Sequence, residues 1–174
     1  MALAVCLLFD DRSDRLVRDL WSRLEDAGVS TLATHTHRRH HPHLSYVVLR
    51  TWDLAEVQET LASLPPAEPF GMSFHGTIAF PRGRAALAPA ISADTALRQW
   101  RIATALESKG CDLHRNYRSG RWVPHVSVAT RVQGARLPTV VKAVADVLPM
   151  TVRVTRAALV DSGTGRTWAL PHIP

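Results

Sequence analysis

Two short stretches, His43-Leu44-Ser45 and His125-Val126-Ser127, set a histidine and a serine two positions apart inside segments that otherwise read as apolar strands. Strand alternation puts each histidine on the same face as its serine, with Leu44 and Val126 turned the other way. An unperturbed imidazole titrates near pH ~6.5, so one neutral ring can take a proton from water while a second, protonated ring gives its proton to a departing oxygen. The serine hydroxyls can donate to nonbridging phosphate oxygens and hold the phosphorus for in-line attack. Together the four side chains suit the opening of a cyclic phosphate by water, a reaction that needs neither a metal nor a covalent serine intermediate. A single histidine at the start of a strand is usually structural; two HxS stretches at equivalent stages of one chain ask for a common explanation.

Positioning these residues requires an alternation of strands and helices. The apolar run 3–9 predicts a first strand, followed by a helix capped at Ser13 or an earlier aspartate, with Leu16, Leu20, Trp21 and Leu24 on one face and Gly28 as its stop. Residues 43–49 form the first polar-bearing strand. Asp53 and Glu56 make a capping box for a helix carrying Leu54, Val57, Leu61 and Leu64, which Pro65 and Pro66 end. Residues 70–80 and 87–91 read as strands around a Pro81–Gly83 turn. Asp94 opens a third helix with Ala96, Trp100, Ala103 and Leu106 inward, and 122–130 is the second polar-bearing strand. Pro138 begins a fourth helix bearing Val140, Val141, Val144, Val147 and Leu148, and 152–160 with 166–170 close the chain as a hairpin.

The order strand, helix, polar-bearing strand, helix, strand thus occurs twice. It predicts an α+β fold over residues 1–174 as a single domain, with approximate halves 1–85 and 86–174 facing each other. No glycine-rich phosphate loop supports a dinucleotide fold.

The formal charge is +6 and 19 of the 21 basic residues are arginine. Guanidinium forks match phosphate oxygens, which fits nucleotides or nucleic acid, although an arginine-rich coding bias gives the same composition. A hydrophobic fraction of 46% with 21% charged residues excludes general disorder. Cys6 and Cys111 are too few for a disulfide framework and are expected as reduced thiols. The opening MALAVCLLFD has no basic leader and soon meets Asp10 and Asp11, so no signal peptide or membrane span is expected and the location predicted is cytoplasmic.

Other histidines compete for attention. THTHRRHHPH holds His35, His37, His40, His41 and His43, but it has no HExxH arrangement and no cysteine set, so no metal site is expected. Arg38 and Arg39 are expected to form, with their histidine neighbours, a loop at the mouth of the groove that meets phosphate or ribose. His75-Gly76-Thr77 is a decoy without a partner at the equivalent place, and His114 and His172 read as loop or strand-end residues. HRNYRSGRW interleaves bases with aromatics before the second HxS. Arg115, Tyr117, Arg118 and Arg121 are its candidate nucleotide contacts, whereas Trp122 is expected to pack in the core.

The chain resembles the 2H phosphoesterase superfamily, and in particular its bacterial 2'-5' RNA ligase-like branch. HLSY (43–46) and HVSV (125–128) match the family's histidine, any residue, threonine or serine, hydrophobic motif, with serine in both places. The leading FDD, the Trp-Val-Pro lead-in to the second motif, the FPRGR turn and the closing hairpin extend the likeness over nearly the whole chain. The resemblance implies a bilobal, internally duplicated fold, with two antiparallel sheets lining a central groove and helices outside. It also implies a metal-independent RNA 2',3'-cyclic phosphodiesterase that leaves a 2'-phosphate, with reversible 2'-5' joining in some members. By that similarity His43 protonates the departing 3' oxygen, His125 activates water, and Ser45 and Ser127 bind phosphate. No cofactor is implied. The expected partner is an RNA end or a small nucleotide, and the expected state is a monomer with no required protein partner. A noncatalytic nucleotide-binding module, or a phosphodiesterase for another nucleotide-like metabolite, are the alternatives.

Overall fold

The run Leu3–Phe9 forms strand β1, and all seven of its side chains are buried. A strand covered on both faces needs material on each, and β1 divides its side chains accordingly. Leu3, Val5, Leu7 and Phe9 enter the main core, while Ala4, Cys6 and Leu8 join Ala158 in a second, smaller apolar cluster. The computed structural model describes residues 2–174.

The remaining elements follow in the order α1 (Asp11–Asp26), β2 (His43–Thr51), α2 (Leu54–Ala62), β3 (Phe70–Phe80), β4 (Arg84–Ala90), α3 (Ala93–Ser108), β5 (Asp112–Leu113), β6 (Val126–Ala129), α4 (Leu137–Ala145), β7 (Met150–Asp161) and β8 (Thr167–Ala169). Their helix starts obey local chemistry. Asp10 accepts from the Ser13 amide, Asp53 from that of Glu56 and Ser92 from that of Thr95, and α4 begins with its proline in the first turn. All four helices contribute to the main core, with α1 against α4 and α2 against α3.

The strands form one antiparallel path, β5-β2-β1-β7-β3-β4-β6, with β8 added to β7. The expected pair of sheets is not resolved as two, because one path links all the strands. The path is continuous because β7 pairs with β3 over Met150–Val154 and with β1 over Val154–Asp161, so the C-terminal part of the chain supplies the strand that joins the rest. Position 85–86 falls within β4.

Two local expectations are corrected. The inward face of α3 is Thr95, Gln99, Ile102, Ala103 and Leu106, leaving Trp100 48% exposed. The helix is turned so that the Gln99 amide donates to the carbonyls of Tyr46 (3.3 Å) and Tyr117 (3.0 Å), a demand that apolar periodicity does not reveal. The strand expected over 122–130 shrinks to Val126–Ala129, since Pro124 has no N–H to offer a ladder.

At the β3–β4 turn Gly83 has φ +67, and the Val132 amide donates to its carbonyl at 2.7 Å. A Cβ here would lie 2.3 Å from the Val132 oxygen. Gly83→Ala should therefore cost at least about 1–2 kcal/mol, the penalty of the left-handed backbone alone, with the clash in addition. A lower urea midpoint at unchanged m-value is the expected reading.

Candidate active site

His43 is the first residue of β2 and His125 stands immediately before β6, so each imidazole leaves the end of a strand with its serine two residues further in. Cross-strand pairing fixes which face they use. His43 lies opposite Leu8 and Ser45 opposite Cys6, which puts both over the smaller apolar cluster and away from the helices. Ser127 lies opposite Ala86 on β4. All four motif side chains are half-buried.

No ladder joins β2 to β6, yet the curled sheet brings the two strands into contact. Two indoles hold them there. Trp122 Nε1 donates to the Ser45 carbonyl at 3.0 Å, and Trp21 Nε1 donates to the Ser127 carbonyl at 3.1 Å. Each HxS element therefore has its backbone fixed by a tryptophan from the other part of the chain.

The two histidines are held in the same way. His43 Nδ1 donates to the His41 carbonyl at 2.7 Å and His125 Nδ1 donates to the Val123 carbonyl at 2.8 Å. A carbonyl only accepts, so the proton sits on Nδ1 of each ring and Nε2 is left for proton transfer.

Their surroundings differ. Burial disfavours a charged His43, but the Cys6 sulfur beside the ring and the His41 carbonyl favour it and prevail, raising its pKa to about 9. Burial lowers the pKa of His125, and the nearby positive charges of His43 and Arg84 add to that against the opposing Val123 carbonyl. Two identical side chains thus have their proton affinities driven apart, His43 upward and His125 downward, the separation that acid and base work needs.

Cys6, Phe80 and Arg84 are site neighbours that sequence reasoning did not single out. Cys6 Sγ lies 3.7 Å from the Ser45 hydroxyl. The Phe80 ring packs 4.7 Å from that of His125, and Phe80 is the cross-strand partner of Arg84. The FPRGR turn carried a signal for the last two, because a tight turn places its flanking residues side by side. Finding Cys6 required the register of β1 on β2.

The candidate contact residues separate. Tyr117 reaches the site: burial with Cys6 nearby pushes its pKa up to about 12, against the opposing effect of the Ser45 hydroxyl. Arg118 is drawn away into ion pairs with Glu107 (3.7 Å) and Asp112 (3.5 Å). Arg115 and Arg121 are exposed. Arg38 and Arg39 are exposed at the tip of the histidine-rich loop, where the Arg39 amide donates to His37 Nδ1 at 3.0 Å. Behind them the His37 and His40 rings stand 4.1 Å apart, and burial together with its histidine neighbours pushes His40 down to about 4. Among the described residues no group of three or more His, Cys, Asp or Glu side chains is placed to hold a metal ion. His75 is exposed and bonded to the Ser73 hydroxyl (3.1 Å), His114 accepts from the Asn116 amide, and His172 donates to the Leu64 carbonyl at 3.0 Å. No helix is long and apolar enough to cross a membrane.

A curled antiparallel sheet with one HxS element on each of two facing strands defines a phosphoesterase of the paired-histidine, or 2H, class. Residues 9–166 match the 2'-5' RNA ligase superfamily, and the chain belongs to that family. Among solved structures, TT0787 of Thermus thermophilus superposes with a TM-score of 0.67 at 16% identity, covering 99% of each chain. E. coli LigT complexed with NADP+ gives 0.64 at 13% identity, covering 97% of this chain and 96% of that one. Usb1 of Kluyveromyces marxianus gives 0.57 at 14%, covering 98% and 97%. At these identities the likeness is one of fold. Among curated proteins none matches the chain.

With His43 as the acid and His125 as the base, turnover would need His125 neutral and His43 protonated. The pH profile of kcat/KM should rise through the lowered pKa of His125, below 6.5, stay flat across neutrality and fall near about 9 as His43 loses its proton. Cys6→Ala removes the neighbour that favours the charged ring, so the upper limb should move to lower pH while the lower limb stays; an upper limb that does not move would contradict the assignment.

Proposed function

We propose that the protein is a metal-independent phosphodiesterase that opens a 2',3'-cyclic phosphate on RNA or a small nucleotide and leaves a 2'-phosphate. The carrying observation is the opposed electrostatics of two identically tethered histidines beside paired serine hydroxyls. At neutral pH His125 Nε2 accepts a proton from water as the water oxygen bonds to phosphorus. The P–O3' bond, in line with the attack, breaks, and His43 Nε2 delivers its proton to the 3' oxygen. Ser45 and Ser127 donate to the nonbridging oxygens. The 2' ester is untouched and becomes the product phosphate. A ribose hydroxyl in place of the water gives a 2'-5' linkage by the same steps, and their reversal cleaves it. Residues 1–174 act as one domain in this reading, its parts 1–85 and 86–174 each contributing one HxS element.

RNA ending in a 2',3'-cyclic phosphate, incubated in EDTA, should yield a 2'-phosphate end. His43→Ala and His125→Ala should each lower kcat by about 10²–10⁴-fold, the usual contribution of a general acid or base, with circular dichroism unchanged. A 3'-phosphate product, or full activity in both variants, would refute the mechanism; tight binding of the end without turnover would identify a nucleotide-binding module instead.

A further inference from the structure

At the β3–β4 turn and the end of β6, three backbone segments are fastened together. The Thr130 amide donates to the Ser30 carbonyl at 2.7 Å and its hydroxyl to the Thr31 carbonyl at 3.5 Å, while the Val132 amide donates to the Gly83 carbonyl at 2.7 Å. Arg131 sits between these two ties with φ 53, Arg84 follows Gly83 directly, and His35 follows Thr31 by one turn of the loop. The fastening gathers two guanidiniums and an imidazole: Arg84 on β4 and Arg131, four residues beyond Ser127, both act on His35, and Arg84 also acts on His125. Among the described residues neither arginine is within ion-pair distance of a carboxylate. Glu25, the carboxylate bonded to this loop, is taken by the hydroxyls of Thr31 (2.6 Å) and Thr34 (2.7 Å).

The three groups sense one another. Burial pushes His35 down, and the charges of Arg131 and Arg84 push it further in the same direction. Cations that the backbone holds together without an acid between them repel, and an anion seated among them removes that repulsion. Both arginines are exposed, so their planar forks are free to take phosphate oxygens in pairs.

We infer that Arg84, Arg131 and His35 form a second anion subsite, which takes a nucleic-acid backbone phosphate neighbouring the scissile one. The inference rests on the phosphodiesterase reading above and narrows its substrate to an oligonucleotide, one with at least one phosphodiester besides the reactive cyclic phosphate. A mononucleotide fills only the site between the histidines.

The test compares kcat/KM for a nucleoside 2',3'-cyclic phosphate with that for a dinucleotide and a trinucleotide carrying the same cyclic end, in the wild-type protein, Arg84→Gln and Arg131→Gln. The wild type should prefer the longer substrates, and each substitution should cut that preference roughly tenfold, the effect of one lost charge-assisted contact. An equal loss on the mononucleotide would leave the preference unchanged and overturn the subsite. Binding provides a readout that does not depend on turnover: a fluorescently labelled trinucleotide is titrated onto the His43→Ala/His125→Ala protein at a series of salt concentrations. Adding Arg84→Gln should flatten the slope of log K against log salt by about 0.7, the value for one phosphate contact on a single strand. An unchanged slope refutes the subsite. Absence of turnover on all three substrates with the slope change intact refutes the hydrolytic reading and leaves the subsite standing.

Discussion

The site depends on a reciprocal pair of indole hydrogen bonds. Trp21, in the helix after the first strand, holds the carbonyl of the second motif's serine, and Trp122, in the lead-in to the second motif, holds the carbonyl of the first. Strands β2 and β6 lie near opposite ends of the hydrogen-bonded path, so the ladder alone does not bring them together. Each indole bond contributes only about 0.5–1.5 kcal/mol net, but the two act at the very residues whose side chains must face each other. Gln99 adds a third clamp, holding the backbone of β2 to the segment that carries Tyr117.

Given that frame, the chemical difference between the two histidines needs no difference in how they are mounted. Both donate from Nδ1 to the carbonyl two residues earlier, so both present the same nitrogen. What separates them is the neighbour: a thiol sulfur and a serine around His43, an aromatic ring and a guanidinium around His125. One structural motif is thereby used twice with opposite proton affinity, which a reaction needing both an acid and a base requires.

The placement of the two HxS elements at strand ends was legible in the sequence because histidine and serine at two-residue spacing carry strand phase with them, and the helix caps were legible because Asp10, Asp53 and Ser92 act locally. What was not legible depends on long-range pairing. That β7 would pair with both β1 and β3, making one path of what read as two sheets, follows from register and not from any run of residues. The same holds for Cys6, whose side chain gains meaning only when β1 is laid on β2, and for Gln99, a polar residue occupying a core position because it serves two distant carbonyls. Arg118 illustrates the converse. Its sequence neighbours suggested a ligand contact, whereas in space Glu107 and Asp112 claim it.

The histidine-rich loop is seated on the turn between β7 and β8, where a Cβ at Gly165 would lie 2.5 Å from His37 Nδ1. Such an intimate fit makes the two hairpin-like segments geometric complements, each a mould for the other. A side chain at position 165 would therefore push the histidine-rich loop off its seat, so the bare glycine is what lets the two segments close on each other.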